Sequence, residues 1–180
     1  MNHWLLHKGW LNAAEHRPSP NFNVRPTGCA IDLLVIHNIS LPPGQFGGTA
    51  IEEFFQNRLD FSSHPYFETL RGLEVSAHFL LRRDGAIVQF VSCDERAWHA
   101  GQSTFEGRVN CNDFSIGIEL EGTDTTPFTD AQYQALARLT EILMAHYPGL
   151  QRKRIVGHSD IAPGRKTDPG PAFDWGRYLA

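Results

Sequence analysis

The 180-residue sequence has few cysteines and no excess of basic charge, and each shortage excludes a class of protein. Its three cysteines, Cys29, Cys93 and Cys111, are an odd number without a Cys-x-x-Cys pair, so neither a disulfide framework nor a thiolate zinc site is indicated. We expect all three to be buried or half-buried. The formal charge of −4 is dispersed and leaves no basic stripe for nucleic acid or anionic lipid. Nucleic acid is therefore not an expected partner.

The sequence also lacks long apolar runs. Residues 1–10 contain no apolar core of signal-peptide length and no Ala-x-Ala-like site, and no membrane-spanning run follows them. We therefore expect a cytoplasmic protein without a membrane partner. There is no internal repeat, Gly-x-Gly-x-x-Gly motif or P-loop, so phosphate and dinucleotide cofactors are not expected. The length fits a single domain, 1–180, and we expect it to act as a monomer.

The apolar patterns alternate between strands and helices, which predicts an α/β (α+β) domain with a mixed central sheet flanked by helices. Residues 1–28 are irregular and proline-rich, and should wrap the outside. The run from Leu33 to Ile36 predicts a strand buried on both faces. Asp84-Gly85 predicts an antiparallel hairpin between strands 77–81 and 86–91.

Two capping-box spacings predict the main helices. The first begins at Thr49 and predicts a helix through about Leu59. The second begins at Thr129, with an apolar stripe that continues until the helix stops before Pro148-Gly149. The stripe of this second helix predicts core packing rather than a cofactor site.

Residues 114–120 alternate between two faces, as a strand does. Ser115, Gly117 and Glu119 share the face opposite the large apolar residues. Small residues beside an acid leave room above the sheet, as a substrate cleft requires. A solvent-facing sheet surface, with Glu119 simply exposed, is the alternative.

The C-terminal segment 157–171 is too rich in proline and glycine for a helix or sheet interior, and it concentrates polar side chains. His158 follows the short β-branched run 154–156, and Asp168 precedes Pro169. His37 likewise ends the buried run at 33–36. Two imidazoles and a carboxylate form a common zinc-ligand set that leaves one position open for water, so these three are candidate ligands if the strands are neighbours. Asp160 is a rival carboxylate.

Several segments, in the same order along the chain, resemble the type 2 N-acetylmuramoyl-L-alanine amidases, zinc enzymes that share a fold with peptidoglycan-recognition proteins. The resemblance covers nearly the whole chain and is closest to the branch that cleaves 1,6-anhydro-N-acetylmuramyl-L-alanine in peptidoglycan recycling. It is carried by residues 18–23, 35–44, 75–78, 96–101, 115–122 and 157–171.

The resemblance implies roles for individual residues. His37, His158 and Asp168 would bind Zn²⁺, Glu119 would be the catalytic glutamate, and Lys166 the essential lysine. A small, soluble anhydro-muropeptide would be the substrate, and its carboxylates call for guanidinium partners. Candidate substrate-binding residues are Asn38, Tyr66, Trp98, His99 and Arg165.

Some of these assignments have alternatives. Trp98 offers an apolar plate for a sugar face and His99 lies among small residues, but both could serve simple packing. His78 is expected to be a hydrogen-bonded structural residue. The remaining histidines are expected at the surface or in packing, namely His3, His7, His16, His64 and His146.

The resemblance leaves two further points open. Where the family carries arginines this chain has Glu74 and Asn110, so recognition of the peptide end is not settled. The alternative functions are a wall-lytic or phage-type amidase acting on intact peptidoglycan, and a non-catalytic peptidoglycan-recognition module.

Overall fold

The computed structural model describes residues 4–180, so His3, predicted to be a surface or packing residue, lies outside the described part. The longer strands of this part are β5 (Leu33–Ile39), β6 (Phe79–Leu81), β7 (Ile87–Gln89), β11 (Ser115–Glu121) and β12 (Ile155–Gly157). The two-residue strands are β1 (Leu6–His7), β2 (Trp10–Leu11), β3 (Glu15–His16), β4 (Phe22–Asn23), β8 (Arg96–Ala97), β9 (Thr104–Phe105) and β10 (Arg108–Val109).

Helices lie on both sides of these strands. The α-helices are α1 (Ala50–Phe55), α2 (Asp130–His146), α3 (His158–Ile161) and α4 (Trp175–Leu179). Short 3₁₀ helices cover Phe61–Ser63, Pro65–Leu70, Cys111–Asp113 and Arg152–Arg154. No helix within residues 4–180 has the length and apolar character needed to cross a membrane.

Six of the strands form the central sheet in the order β12-β5-β11-β6-β7-β3. The first four are parallel to one another, β6 and β7 are antiparallel, and β3 pairs in parallel with β7 at the edge. The predicted mixed sheet flanked by helices is therefore confirmed. The antiparallel pairing across Asp84-Gly85 is confirmed as well, although both of its strands are shorter than predicted.

The register of the three strands at one end of the sheet positions the polar residues. Glu119 of β11 lies directly opposite His37 of β5, and Gly157 of β12 lies opposite Ile36. The residue after Gly157 is His158, which therefore follows at the level of His37. Leu34 and Ile36 face the α2 side of the sheet, whereas His37 faces the cleft, so slippage by one residue would turn His37 into an apolar core and the register is strongly specified.

One face of the sheet packs against α2. Leu34 and Ile36 of β5 and Ile116 and Ile118 of β11 share a core with the apolar stripe of this helix, which includes Leu136, Leu139 and Leu143. The helix begins with the predicted capping box, in which the Thr129 hydroxyl accepts a hydrogen bond from the Gln132 backbone N–H at 3.1 Å. It ends at His146, before Pro148, as predicted.

The first helix is shorter than predicted and ends at Phe55 rather than near Leu59. Asn57 adopts a left-handed conformation (φ +57°) that ends the helix, and its side chain exchanges 2.8 Å hydrogen bonds with Asn21. A contact with a distant segment therefore overrides the local preference for helix, which residues 49–59 alone do not reveal.

The segment 157–171 also differs from expectation, because it contains one turn of α-helix, α3. The Asp160 carboxylate accepts a hydrogen bond from the Gly157 amide at 2.7 Å and so caps this turn. The cysteines fit the prediction: Cys93 and Cys111 are buried and Cys29 is half-buried, all as free thiols.

Candidate active site

A cleft of about 470 Å³ opens at the carboxyl ends of β5 and β11, on the sheet face opposite α2. Its volume lies within the range typical of small-molecule sites. All but one of the residues predicted to bind the metal, take part in catalysis or bind substrate line it, and the exception is Arg165. The lining set from that prediction is His37, Asn38, Tyr66, Trp98, His99, Glu119, His158, Lys166 and Asp168.

Three side chains converge on one point at the floor of this cleft. The Nδ1 atom of His37 lies 3.0 Å from Nδ1 of His158 and 3.0 Å from Oδ2 of Asp168. The His158 Nδ1 and the same Asp168 oxygen are 3.1 Å apart. These three atoms form a nearly equilateral triangle and could hold a metal ion. Both imidazoles are almost fully buried, and the carboxylate is only 15% exposed.

Local contacts around Gly157 place the third member of the triangle. The Ser159 amide donates to the Asp168 carbonyl oxygen at 3.0 Å, which ties the loop to the first turn of α3. A Cβ atom at position 157 would lie 2.8 Å from Cδ of Pro169, so the absence of a side chain there lets the loop fold back. The Asn38 amide group then donates to the Pro169 carbonyl oxygen at 3.1 Å.

The triangle fits a tetrahedral metal ion. Ligand atoms at ~2.0–2.1 Å from zinc would be separated by about 3.3 Å, close to the observed spacings. Burial lowers the pKa of His37 to about 4, although its hydrogen bond to Asp168 acts the other way. The two imidazole Nδ1 atoms lie 3.0 Å apart, a spacing that suits two nitrogen ligands of one ion.

Asp168 carries the matching negative charge. Burial alone would raise the pKa of this carboxyl group, but the hydrogen bonds with His158 and His37 outweigh it and hold the pKa below its usual range. Two neutral imidazoles and one carboxylate are a common donor set for catalytic zinc. Asp160, the rival carboxylate, caps α3 instead and is not a member of the triangle.

Glu119 lies beside the triangle without a hydrogen-bond partner on one oxygen. The side chain is 8% exposed, and its Oε2 atom is buried and unpaired. Burial, reinforced by the negative charge of Asp168, raises its pKa well above the usual range, against the opposing effect of Lys166. A carboxyl group with a raised pKa beside a metal-ligand set in a cleft suits a group that both accepts and donates a proton.

The chain matches the family model described as N-acetylmuramoyl-L-alanine amidase over residues 27–171. The chain belongs to this amidase family. It is 57% identical over 176 residues to the 1,6-anhydro-N-acetylmuramyl-L-alanine amidase AmpD of Enterobacter cloacae, covering 98% of this chain and 94% of the relative. It is thus an AmpD-type amidase.

Solved structures show the same relationship. A crystal structure of a selenomethionine AmpD derivative superimposes with a TM-score of 0.94 at 57% identity, covering 97% of each chain. The Escherichia coli amidase AmiD, solved with the substrate anhydro-N-acetylmuramic acid-L-Ala-D-γ-Glu-L-Lys, gives a TM-score of 0.61 at 34% identity. That match covers 86% of this chain and 59% of the AmiD chain.

The two cations of segment 157–171 in this amidase have different surroundings. Lys166 lines the cleft, and its positive charge acts on both Glu119 and His37. The Arg165 guanidinium instead donates 2.6 Å hydrogen bonds to the carbonyl oxygens of Ala100 and Gln102. Arg165 therefore holds the 100–102 segment beside the cleft, and its predicted contact with substrate stays a prediction.

The other predicted substrate contacts of the amidase lie at different depths. Tyr66 is 38% exposed at the cleft rim. Trp98 is half-buried, and its indole N–H donates to the Asn23 side chain at 2.7 Å, which fixes the ring orientation. The Asn38 amide nitrogen donates to Asp124 Oδ1 at 2.7 Å as well as to the Pro169 carbonyl. Asn38 thus supports the loop that carries Asp168.

His99 lies deeper than the sequence suggested. It is only 9% exposed, and its Nδ1 atom lies 2.9 Å from Nε2 of His37. The room above Gly117, interpreted as space for substrate, is occupied by this ring, because a Cβ atom at position 117 would lie 2.4 Å from Cγ of His99. An isolated glycine within a strand signals such a close approach, but not which group approaches.

Two polar groups of the site were missed by sequence reasoning. Asp124 lines the cleft and holds Asn38, and Arg25 lies buried behind the histidines, 3.2 Å from Nε2 of His78. Asp124 stands in a turn rich in threonine, where an acidic residue carries no distinguishing signal. The predicted structural role of His78 agrees with its position, because its Nδ1 accepts a hydrogen bond from the Gly117 amide at 3.0 Å.

The buried histidines should make the metal-free amidase sensitive to acid. Burial lowers the pKa of His37 to about 4 and that of His78 to about 3, and it holds the pKa of His99 well below the ordinary value near 6.5. At a pH between these lowered pKa values and the ordinary histidine pKa near 6.5, the three histidines bind protons in the unfolded chain but not in the folded protein. The free energy of unfolding should therefore fall, by on the order of a few kcal/mol, as the pH decreases from about 6.5 to about 4.

Glu119 opposes this trend, because its raised pKa makes protonation favour the folded state over part of the same range. The measurement is therefore thermal unfolding of chelator-treated Glu119→Gln protein between pH 7 and pH 4, with the parent protein as the control. The variant should lose stability more steeply than the parent on acidification. A melting temperature of the variant that is constant or rises toward pH 4 would contradict the assignment of neutral buried histidines.

Proposed function

We propose that this amidase is a zinc hydrolase that cleaves the amide bond between anhydro-N-acetylmuramic acid and L-alanine in soluble muropeptides of cytoplasmic peptidoglycan recycling. One observation carries the proposal: the unpaired carboxyl oxygen of Glu119 lies at a cleft floor beside the triangle of His37, His158 and Asp168. A non-catalytic recognition module would not need this combination.

The metal part of the proposal rests on the donor set. His37 and His158 would each ligate through Nδ1, and Asp168 through Oδ2, and all three residues line the cleft. When bound there, zinc supplies Lewis acidity that lowers the pKa of water toward ~7 and polarises a carbonyl group.

The chain's own side chains would move and stabilise charge. Glu119 accepts a proton from the attacking water and later delivers it to the leaving nitrogen of L-alanine, so one carboxyl group serves both steps. Lys166 places an ammonium group at the mouth of the same cleft, where it would stabilise the negative charge of the tetrahedral intermediate. The influence of Lys166 on the pKa of Glu119 supports their proximity.

The substrate part of the proposal rests on the relatives. AmpD of Enterobacter cloacae is named for the 1,6-anhydro-N-acetylmuramyl-L-alanine bond, and AmiD was solved with an anhydro-muropeptide. The cleft of this chain suits such a molecule, since Trp98 and Tyr66 offer aromatic surfaces for a sugar. Apolar side chains complete the rim, namely Leu41, Leu70, Leu73 and Val75.

The cytoplasmic location is the remaining part of the proposal. Three free cysteines without a disulfide suit a reducing compartment. In that compartment the available substrates would be soluble fragments returned from wall turnover rather than intact peptidoglycan. Activity on intact wall is the competing function and is separated by the third test below.

The first test concerns the metal. Purified protein should contain about one zinc ion per chain, and Asp168→Ala or His158→Ala should lose both the metal and the activity, because each removes one of three ligands. Elemental analysis and a hydrolysis assay measure the two losses. Asp160→Asn removes the charge of the rival carboxylate but keeps an oxygen that can cap α3, so it is the matched control and should retain zinc. Full activity after exhaustive chelation would exclude a metal mechanism.

The second test separates proton transfer from metal binding. Glu119→Gln keeps the size of the side chain but cannot accept the proton, so it should retain zinc and lose on the order of 10²–10⁴ in kcat. Glu141→Gln, at an exposed glutamate of α2 on the other side of the sheet, is the control and should keep the parent rate. Retention of most of the rate by a zinc-loaded Glu119→Gln protein would remove Glu119 from the chemistry.

The third test concerns the substrate. A site shaped for the bicyclic anhydro-sugar should discriminate against the reducing sugar, whose extra hydroxyl groups change both fit and desolvation. We expect a higher kcat/KM on anhydro-N-acetylmuramyl-tripeptide than on reducing N-acetylmuramyl-tripeptide, with little release from sacculi. Equal rates on the two sugars, or faster release from sacculi, would instead place the protein among the wall-lytic amidases.

A further inference from the structure

We infer that His99 is a positioning residue for His37, which it orients and holds in the tautomer that a metal ligand requires. The inference rests on the proposed zinc function and adds a residue outside the ligand set. It follows from the hydrogen bonds of the two rings, from the strand surface under His99 and from the backbone that carries it.

The two nitrogens of His37 face different partners. Its Nδ1 atom belongs to the triangle with His158 and Asp168, whereas its Nε2 atom faces His99. This Nε2 lies 2.9 Å from Nδ1 of His99, and the two rings meet edge to face at 86°. His99 is therefore the hydrogen-bond partner of the non-ligating nitrogen of His37. A partner on this nitrogen fixes the orientation of a metal-bound imidazole.

These contacts determine where the protons lie. A neutral His37 that ligates through Nδ1 must carry its proton on Nε2, which therefore donates to Nδ1 of His99. The ring of His99 must then carry its own proton on Nε2. That nitrogen lies 3.0 Å from Oγ of Ser115, which can accept the bond. The ligating state of His37 thus specifies a single tautomer for both rings.

The surroundings of His99 hold the ring in this position. Gly117 of β11 lies directly beneath it, and a side chain there would collide with the ring. The Asn112 side-chain oxygen accepts hydrogen bonds from the backbone amides of His99 at 3.1 Å and Ala100 at 2.8 Å. One asparagine therefore anchors the short segment that carries the ring.

The same segment also supports the second imidazole. The carbonyl oxygen of Ala100 lies 3.0 Å from Nε2 of His158, so it accepts the proton of that ring when its Nδ1 is a ligand. His99 and Ala100 are adjacent in sequence, and each accepts a hydrogen bond from one histidine ligand: His99 from His37, and the Ala100 carbonyl from His158. A direct contact of His99 with substrate is disfavoured, since both of its ring nitrogens are already engaged within the protein.

The test compares two substitutions that separate ring volume from hydrogen bonding. His99→Phe keeps a ring above Gly117 but has no acceptor for the His37 proton. His99→Asn has less volume but places an amide oxygen near the position of Nδ1. Loss of an outer partner of a metal ligand typically costs 10–100-fold in affinity. We expect His99→Phe to weaken zinc binding by on the order of 10–100-fold, and His99→Asn to recover most of that loss.

Zinc affinity is measured by competition with a chromophoric chelator on metal-free protein, and steady-state kinetics are measured at saturating zinc. His99→Phe should lower kcat more than it changes KM. Unchanged zinc affinity with a raised KM would instead show that His99 contacts substrate, and it would overturn the inference. A wild-type protein that binds no zinc would overturn the proposed function itself, so the two failures are distinguishable.

A measurement on the unaltered protein covers the case in which His99→Phe does not fold. Long-range proton–nitrogen NMR spectra of the zinc-loaded, ¹⁵N-histidine-labelled protein report the tautomer of each ring. We expect both His37 and His99 to carry their proton on Nε2. A His99 ring protonated on Nδ1 could not accept from His37, and that result would overturn the inference.

Discussion

The structure depends on the register between three parallel strands. Because β5 lies between β11 and β12, and because a one-residue slip would turn His37 into the core on the α2 side, His37 lies beside Glu119 on one side and near His158 on the other. Apolar burial on the α2 face thus determines polar geometry on the opposite face. Asp168 alone comes from a loop, and that loop is tied to α3 through the Ser159 amide.

Burial gives the site its electrostatic character. Removal from water keeps His37 uncharged and favours the protonated form of Glu119, whereas two hydrogen bonds keep Asp168 ionised. Burial raises the pKa of a carboxyl group in both cases, yet Glu119 and Asp168 end with pKa values shifted in opposite directions. The difference lies in their hydrogen-bond partners. Asp168 contacts two imidazoles, whereas the Oε2 atom of Glu119 has no partner.

The sequence predicted those parts of the fold that depend on local patterns. The buried run before His37, the capping box at Thr129 and the hairpin at Asp84-Gly85 each contain their own signal, and the structure agrees with all three. The predicted end of α1 was wrong because the helix stops where Asn57 hydrogen-bonds to Asn21, which lies more than thirty residues earlier in the chain.

In the candidate site, too, local sequence patterns predicted some residues, whereas others depend on contacts between distant parts of the chain. A polar residue at the end of an apolar run indicated both histidines, but the choice between Asp160 and Asp168 needed the resemblance, because both carboxylates lie in one loop. The depth of His99 was not predictable from its neighbours in sequence, since the surface it covers belongs to Gly117.

The contact between His99 and Gly117 also restricts how this sequence can change. A side chain added at position 117 has no space while an imidazole occupies position 99, and a small residue at position 99 would leave a void above the strand. The two positions, 18 residues apart, therefore constrain each other. Within an aligned family they should covary, with glycine at the first wherever a ring stands at the second.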